Sequence, residues 1–406
     1  MKINIDKFEI GNKRVFIIAE VGNNHNGDFD RAKLMIDKTV EMGADCVKFQ
    51  MRQIKQLYRS KSLEKTGEDL GTEYIIDLLN KFELSIEQQR DLSNYCKSKG
   101  ILYMCTPWDT KSVEILETFK VPAYKVASAD LTNLPLLDSL AKTKKPLILS
   151  TGMSNNNEIK LTVEFLNKRK VKFVLLHCNS TYPAPVQDIN LNWINVLKKI
   201  HKLVGYSGHE RGINISLGAV ALGAKVIERH FTLDRKMEGP DHAASLEFDE
   251  FKNLIEGCRE IELAMGSSDT SERKFSQGEM INRENLAKSL VASKKLVKGH
   301  IMTHNDIKVL SPGQGLSPQN YDSLIGLRLK RDMAKEDYFF SSDLNSTTQI
   351  IKNYKFKRPW GIPVRYHDFN NYLNLIKPPM FEFHLSYSDM DLNIDKYLSG
   401  TYNCGF

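Results

Sequence analysis

A chain of 406 residues with a hydrophobic content of 41% predicts a soluble globular protein of two or three domains with at least one large core. No apolar run approaches the ~18 residues that a membrane span needs, and the amino terminus lacks the layout of a secretory signal, so we expect a cytoplasmic protein without a membrane contact. The formal net charge of +7 is spread along the whole chain without a basic stripe interleaved with aromatic residues, which argues against a nucleic-acid partner.

Short apolar runs alternate with amphipathic stretches from Val15 to about Ala264, which predicts parallel strands crossed over by helices such as 30–43 and 85–100. The expected strands are 15–20, 45–50, 101–106, 123–128, 146–151, 173–178, 203–207 and 225–231. Eight strand–helix units in about 250 residues are typical of a closed (β/α)8 TIM barrel. An open doubly wound sheet is the alternative, and it is disfavoured because no Gly-x-Gly-x-x-Gly turn follows the first strand.

The composition changes three times after the barrel, which we assign to residues 1–266. The polar segment 267–287 is interpreted as a linker. Residues 288–345 combine short strands with Gly/Pro turns and predict a small β-containing domain. Residues 346–406, with the strand-like runs "RPWGIPVRYHDF" and "MFEFHLSY", are interpreted as a partial third domain or a truncated extension.

Polar or charged side chains follow every predicted barrel strand. In a β/α barrel the carboxyl ends of the strands meet at one mouth, where the active site forms. A single Ser or Thr there caps a helix or completes a core hydrogen bond as readily as it binds a ligand, but eight polar strand ends together predict a ligand. The groups expected at the mouth are Glu20, Lys48, Gln50, Thr106, Lys125, Ser128, Ser150, Thr151, Asn179, Ser180, Tyr182, Ser207, His209, Glu228 and His230.

Two lysines interrupt apolar strands. An ammonium such as that of Lys48 or Lys125 is tolerated inside a strand only where an anion compensates it. With the hydroxyls of neighbouring strand ends, the two predict a pocket for a phosphate or a carboxylate. A structural ion pair with Glu or Asp, and a Schiff-base lysine, are the alternatives.

His209 and His230 follow adjacent strands, so their imidazoles can reach a common point. Two neutral imidazoles, with the remaining positions left to water or substrate, suit Mn, Co, Fe or Zn better than Mg or Ca. The same pair is also compatible with hydrogen bonding or with general acid–base catalysis.

Six ordered motifs, "FIIAEVGNNHNGD", "ADCVKFQ", "STGMS", "LLHCNSTYPAP", "GYSGHERG" and "VIERHFTLDRKMEGPDHAASL", closely resemble the N-acetylneuraminate (sialic acid) synthase family over about residues 10–340. Residues 288–345 resemble that family's antifreeze-like (SAF) domain, which in the family reaches over the partner's barrel in a domain-swapped homodimer. The resemblance implies condensation of phosphoenolpyruvate with an N-acylated hexosamine aldehyde and water. The products would be phosphate and a nine-carbon 2-keto acid.

The resemblance also implies residue roles. Glu20, Tyr182 and Asp241 match positions that contact the sugar. His209 and His230 match the metal ligands, normally for manganese, with magnesium or cobalt as alternatives. Glu228 matches the carboxylate near the reacting centre and is the candidate for proton transfer. Phosphoenolpyruvate would be held by Lys48, Thr106, Lys125, Ser128, Ser150, Ser180 and Ser207.

The chain departs from the family's pattern at three places. Gly208 stands before the first metal histidine, where the family often has Asp. Ser311 stands where sialic acid synthases have an arginine for the N-acetyl group, so we expect a legionaminic- or pseudaminic-type precursor at least as much as N-acetylmannosamine. The tail resembles the beginning of a sugar-isomerase-like barrel. A metal-free Schiff-base pyruvate aldolase, and a catalytically inactive barrel that acts as a binding or scaffold module, remain the competing functions.

Overall fold

The computed structural model describes residues 1–63, 70–266, 272–344, 360–365, 369, 372, 378–383 and 404–405. The chain divides into two compact units, Met1–Thr270 and Ser271–Phe406. No helix among the described residues is long and apolar enough to span a membrane.

The first unit is a barrel preceded by an antiparallel hairpin of β1 (Ile3–Ile5) and β2 (Phe8–Ile10). Eight strands of the described residues pair in parallel, each with the next, and the last pairs with the first to close the sheet. This confirms the predicted (β/α)8 barrel, and the open doubly wound alternative is wrong. The barrel strands are β3 (Phe16–Gly22), β4 (Cys46–Met51), β5 (Leu102–Pro107), β6 (Tyr124–Val126), β7 (Leu147–Ser150), β8 (Phe173–Cys178), β9 (Val204–Gly208) and β10 (Val226–His230).

Helices connect the strands and cover the outside of the barrel. The first begins after Asp28, whose carboxylate accepts a hydrogen bond from the Arg31 amide, and ends at Gly43 with a φ of 82°. The helices are α1 (Phe29–Met42), α2 (Ile54–Leu57), α3 (Ser60–Leu63), α4 (Leu70–Lys81), α5 (Ile86–Ser98), α6 (Thr110–Phe119), α7 (Leu134–Lys142), α8 (Asn156–Lys168), α9 (Trp193–Ile200), α10 (Asn214–Ala221) and α11 (Phe248–Ala264). The sequence did not predict α2 and α3, because single-turn helices are too short to show a periodic apolar pattern.

Alternation along the strands separates two layers of the core. Ile17 and Ala19 of β3 face the helices, whereas Phe16 and Ile18 face the barrel interior. The isoleucines of the β1–β2 hairpin join the interior cluster, which otherwise consists mainly of residues from the starts and middles of strands. The amino-terminal end of the barrel is therefore filled with apolar side chains, and the carboxyl end is left to polar ones.

The second unit begins with a helix inside the segment predicted as a linker. Ser276 and Glu279 form a capping box at its start, so a local signal was present in "SQGE". Two antiparallel strands follow. They pack on a small core that includes Leu290 of the first strand, Leu296 and Phe339. The elements are α12 (Gln277–Leu286), β11 (Ser289–Ala292), β12 (Ile307–Leu310), α13 (Tyr321–Leu324), α14 (Ser341–Leu344), β13 (Gly361–Val364), β14 (Met380–Phe383) and β15 (Cys404–Gly405).

The last predicted segment, 346–406, is described only in part. The strands β13 and β14 coincide with the two runs predicted to be extended, and with β15 they form a parallel sheet. Most of the segment lies outside the described residues, so its interpretation as a partial third domain or a truncated extension stays a prediction.

Candidate active site

A cavity of about 200 Å³ opens among the carboxyl ends of the barrel strands. We call it the mouth cavity. Of the residues given a ligand-binding role, all but Asp241 line it: Glu20, Lys48, Thr106, Lys125, Ser128, Ser150, Ser180, Tyr182, Ser207, His209, Glu228 and His230. Of the other polar groups expected at the mouth, Gln50 lines the cavity, but Thr151 and Asn179 do not. The Thr151 hydroxyl donates to the Leu176 carbonyl at 2.9 Å, and the Asn179 amide donates to the Asp188 carbonyl at 3.0 Å. A larger cleft of about 510 Å³ lies beside α5, but its cationic side chains are exposed rather than buried.

The two strand lysines converge on one carboxylate in the mouth cavity. The Lys48 Nζ lies 2.7 Å from Glu20 Oε2 and 3.7 Å from Glu228 Oε1. The Lys125 Nζ lies 3.7 Å from the same oxygen of Glu228. Both ammonium groups also donate to hydroxyls, Lys48 to Thr106 Oγ1 at 2.9 Å and Lys125 to Ser150 Oγ at 2.8 Å. Two buried cations therefore face two buried carboxylates.

This cluster changes the proton affinity of its members in different directions. Burial raises the pKa of Glu20 against the opposing effect of Lys48. Burial also favours the neutral form of Glu228, yet Lys125 and Lys48 hold its pKa below the ordinary value. Burial opposes the charge on both lysines: it lowers the pKa of Lys125, whereas Glu20 and Glu228 raise the pKa of Lys48. Lys125 is thus the lysine better suited to the Schiff-base alternative.

The two histidines lie on the other side of the mouth cavity, with ring centroids 5.4 Å apart. The His209 Nδ1 is 2.6 Å from the carbonyl oxygen of Asn179, so this nitrogen donates, and the neutral ring carries its lone pair on Nε2. Although burial opposes the charge, Cys178 and the Asn179 carbonyl raise the pKa of His209, so a metal would compete with a proton for this nitrogen. The His230 Nδ1 is buried without a hydrogen-bond partner, 3.8 Å from Asp241 Oδ2. Burial lowers the pKa of His230 to about 4, so its ring is neutral near pH 7.

The donor set fits a divalent transition metal that takes two ligands from the protein. Two imidazoles with available lone pairs suit such an ion, and the unpartnered Oε2 of Glu228 is nearby. The described residues contain no group of three or more His, Cys, Asp or Glu arranged to hold a metal. Water or substrate would therefore complete the coordination shell.

The serines of the mouth cavity converge because Gly152 has no side chain. A Cβ at this position would lie 2.3 Å from Ser180 Oγ and 2.8 Å from Ser128 Oγ. The Cys178 thiol, which was not among the predicted site residues, lies near both hydroxyls, 3.6 Å from Ser128 Oγ and 3.9 Å from Ser180 Oγ, and 3.8 Å from His209 Nδ1. The glycine of the "STGMS" motif thus creates the space in which these hydroxyls meet.

Asp241 is held beside the mouth cavity by the loop after β3. The His242 ring bridges this connection, with Nδ1 2.7 Å from Thr232 Oγ1 and Nε2 3.1 Å from Asn26 Oδ1. The Asn24 amide donates to the Phe231 carbonyl and to the Ser245 hydroxyl, both at 2.8 Å. The "NNHNGD" motif therefore fastens the segment that carries Asp241.

Two residues around β9 and β10 have a structural role. Arg229 is fully buried and donates to Glu210 Oε1 at 2.8 Å, so its side chain points away from the mouth cavity and forms an ion pair. Gly208 packs closely beside this ion pair, because a Cβ there would lie 2.6 Å from Glu210 Oε2 and 2.7 Å from Tyr206 Cε1, so a larger residue would require these side chains to shift. In the second unit, the Ser311 hydroxyl accepts a hydrogen bond from Lys288 Nζ at 2.6 Å.

Sequence reasoning missed Arg52 and Trp108, which lie just past the ends of β4 and β5. Strand alternation carried a signal for both, because every second residue of a strand points to the same face. Arg52 comes two positions after Gln50 and four after Lys48, and Trp108 comes two positions after Thr106.

Comparison with known proteins relates the chain to synthases. The NeuB family matches residues 35–270 and the SAF domain matches residues 287–345. An N,N'-diacetyllegionaminic acid synthase of Campylobacter jejuni is 41% identical over 80% of this chain and 98% of its own length. The N-acetylneuraminate-9-phosphate synthase of Homo sapiens is 36% identical over 84% of this chain and 96% of its own length. The crystal structure of a sialic acid synthetase from Leptospira borgpetersenii, in complex with citrate, matches with a TM-score of 0.63 and 34% identity over 70% of this chain and 97% of that one.

Proposed function

The chain belongs to the NeuB family, and we propose that it condenses phosphoenolpyruvate with an N-acylated hexosamine aldehyde to give a nonulosonic 2-keto acid and phosphate. It is a synthase-type transferase, as the sequence motifs predicted. The observation that carries the proposal is the mouth cavity, in which two buried ammonium groups and two imidazoles face one space. Such a cavity suits an anionic donor and a carbonyl acceptor at the same time.

The anionic donor would bind in the part of the mouth cavity that is lined by the carboxyl ends of β4 to β9. Phosphoenolpyruvate carries a phosphate and a carboxylate, which match two ammonium groups surrounded by hydroxyl donors. In the structure Lys48 and Lys125 are balanced by Glu20 and Glu228, so the ligand's charges would replace a compensation that already exists. The proposed ligands are Lys48, Thr106, Lys125, Ser128, Ser150, Ser180 and Ser207.

The acceptor would bind on the side of His209, His230 and Asp241, with Glu20 and Tyr182 as further contacts. The Tyr182 ring stacks on His209 with centroids 4.0 Å apart, which fixes the orientation of the imidazole. A divalent cation held by the two histidines, manganese in our proposal and magnesium or cobalt as alternatives, would polarise the aldehyde oxygen as a Lewis acid. The residues that contact the acceptor would hold its aldehyde carbon near C3 of phosphoenolpyruvate.

The reaction moves both protons of the captured water. Attack by C3 on the aldehyde leaves a cationic C2 that captures water, and one proton of this water goes to the former aldehyde oxygen. The hydroxyl of the resulting hemiketal phosphate then gives the second proton to the phosphate as the C2–O bond to phosphate breaks and the ketone forms. Glu228 is the proposed group for one of these transfers, since it lies 3.7 Å from both lysines and its Oε2 has no hydrogen-bond partner.

The acceptor is proposed to be a legionaminic- or pseudaminic-type precursor rather than N-acetylmannosamine. Ser311 offers no guanidinium for an N-acetyl group, and the 41% identical relative is a diacetyllegionaminic acid synthase. The SAF-domain match supports a domain-swapped homodimer. The proposal also includes a cytoplasmic location, where phosphoenolpyruvate and an amino sugar would be its partners.

A phosphate-release assay tests this function. Wild-type protein with manganese and phosphoenolpyruvate should release phosphate with at least one member of a panel of 2-acylamido and 2,4-diacylamido hexoses. His230→Ala should abolish the release, because one of two imidazoles is lost. His201→Ala is the matched control, since His201 is equally buried but stacks on Phe173 outside the mouth cavity.

Three results would contradict the proposal. Unchanged turnover in His230→Ala would remove the metal role. Absence of phosphate release with every sugar would favour an inactive scaffold. Trapping of the protein by borohydride in the presence of pyruvate would favour the Schiff-base aldolase, for which the lowered pKa of Lys125 is the supporting observation.

A further inference from the structure

Arg52 is a buried cation for which the described part of the chain offers no carboxylate within ion-pair distance. Its side chain is 7% exposed, and its Nε has no hydrogen-bond partner. Among the described residues of the first unit, the other buried cations are Lys48, Lys125 and Arg229, and each lies within 3.7 Å of a carboxylate. Burial of an unpaired guanidinium costs free energy, so a position of this kind points to a function.

The Arg52 guanidinium and the Trp108 indole converge on one atom, the side-chain oxygen of Gln50. The Arg52 Nη2 donates to Gln50 Oε1, and Nη1 donates to Asn23 Oδ1 at 3.3 Å. The Trp108 Nε1 donates to the same oxygen of Gln50 at 3.2 Å. The guanidinium carbon also lies 5.2 Å from the centre of the Trp108 ring, which holds the two donors together.

Two donors at one end determine which way the Gln50 amide points. If the amide were flipped, its NH2 group would face the guanidinium and the indole N–H, which are donors only. The oxygen must therefore face Arg52 and Trp108, and the nitrogen must face the opposite direction. There it donates to Glu20 Oε1 at 2.7 Å. The backbone of Gln50 is fixed as well, because its carbonyl accepts from Gln89 Nε2 at 2.8 Å.

Glu20 is consequently held at both oxygens. Gln50 holds Oε1, and the Lys48 ammonium lies 2.7 Å from Oε2. Lys48 has further partners in Thr106 and Glu228, so its position does not depend on Glu20 alone. By contrast, Gln50 is the one hydrogen-bond donor to Glu20 Oε1 among the described residues.

We propose that Arg52 and Trp108 are positioning residues for the acceptor sugar, which act through Gln50 to fix the carboxylate of Glu20. The inference rests on the proposed function, in which Glu20 contacts the acceptor. Loss of either donor lets the Gln50 amide rotate and frees Glu20 Oε1. Acceptor binding then weakens, whereas the lysines and hydroxyls that would hold phosphoenolpyruvate stay in place.

Steady-state kinetics with both substrates separate this role from a purely structural one. Trp108→Phe keeps an aromatic ring beside Arg52 but removes the N–H, and Arg52→Met keeps the bulk but removes the donors. Each should raise KM for the acceptor about tenfold, as expected for the loss of one hydrogen bond to a fixed group, with KM for phosphoenolpyruvate unchanged. Arg52→Lys should give an intermediate KM, because a lysine cannot reach Asn23 and Gln50 with one planar fork.

Arg90→Met is the matched control, because the Arg90 guanidinium also lies over an aromatic ring, that of Phe119 at 5.3 Å, but on the exposed side of α5. It should leave both KM values unchanged. Unchanged acceptor KM in Trp108→Phe and Arg52→Met overturns the inference. An equal rise of both KM values with a lower Tm also overturns it, because that result indicates a structural role.

If Arg52→Met does not fold, the Trp108→Phe variant decides the question. This variant is expected to fold, because position 108 is half-buried and phenylalanine keeps an aromatic ring there. Wild-type protein that releases no phosphate with any acceptor overturns the proposed function and this inference with it. Wild-type turnover combined with unchanged variant kinetics overturns this inference alone.

Discussion

Glu228 joins the two halves of the mouth cavity at the scale of single residues. Its Oε1 lies 3.7 Å from both lysine Nζ atoms and accepts a hydrogen bond from Ser207 at 3.3 Å. Its other oxygen is buried without a partner. A carboxylate in this position balances two cations, and in the proposed reaction it would lie next to the reacting atoms.

The Glu228→Gln variant tests this double role. The amide keeps the shape of the side chain but cannot transfer a proton, so we expect kcat to fall by ~100-fold or more. Affinity for phosphoenolpyruvate should not fall, because the two lysines lose a competing anion. Single-turnover kinetics and calorimetric titration with phosphoenolpyruvate measure the two effects separately.

Glu117→Gln provides the control. Glu117 also forms an ion pair with a lysine, Lys145, at an N–O distance of 2.5 Å, but it does not line the mouth cavity. A Glu228→Gln enzyme with the kcat of the wild type would exclude proton transfer by this residue. Weaker binding of phosphoenolpyruvate in the same variant would show that Glu228 supports the anion site rather than competing with it.

The sequence revealed some site residues and concealed others for a physical reason. Lys48 and Lys125 stood out because a charge inside an apolar strand is rare and needs compensation. Strand alternation placed Arg52 and Trp108 on the same face as the site residues before them, but it did not indicate what they do, because both donate to Gln50 only where β4 and β5 lie side by side. Contacts between side chains that are 58 positions apart, such as Trp108 and Gln50, leave no local pattern.

At the scale of elements, the barrel was predictable and its boundaries were less so. Strands buried on both faces form continuous apolar runs, so all eight could be located from the sequence. The end of β6 was misplaced: Ser128 was expected on the strand but begins a 3₁₀ turn, Ser128–Asp130. Helix α12 was taken for part of a linker because its described residues are exposed, and an exposed helix shows no apolar face.

One element of the second unit depends on a buried carboxylate. Asp306 ends the 3₁₀ turn before β12 and accepts hydrogen bonds from the Thr303 backbone and hydroxyl at 2.8 and 2.7 Å. Its carboxylate also lies 2.8 Å from His300 Nε2 and 3.0 Å from Lys294 Nζ. Although burial opposes the charge, these partners lower the pKa of Asp306 far below its ordinary value.

A lowered pKa stabilises the folded state above the ordinary pKa of aspartate, and the contribution is lost as the pH falls through the folded value. We therefore expect Asp306→Asn to lower Tm at neutral pH, with a difference that shrinks as the pH falls below about 4. Thermal unfolding across this range measures the effect. Asp322→Asn, an exposed change on α13, should leave Tm unaltered, and a pH-independent difference for Asp306→Asn would contradict the account.

At the scale of the whole molecule, the residues proposed to react come from distant parts of the sequence. Lys48 and His230 are separated by 182 positions, yet both line the mouth cavity. The closed barrel accomplishes this, because strand closure brings β10 next to β3 and directs every carboxyl end to one side. The central claim is thus spatial: the proposed phosphate site at the lysines and the proposed metal site at the histidines share one cavity.

Paramagnetic relaxation of the ³¹P resonance of phosphoenolpyruvate by manganese tests this claim without any acceptor sugar. If the ion and the phosphate share the mouth cavity, manganese should strongly enhance the relaxation of bound phosphoenolpyruvate, and a His209→Ala, His230→Ala double variant should lose the enhancement while it still binds the ligand. Binding of both manganese and phosphoenolpyruvate to the wild-type protein with no relaxation enhancement would contradict the account.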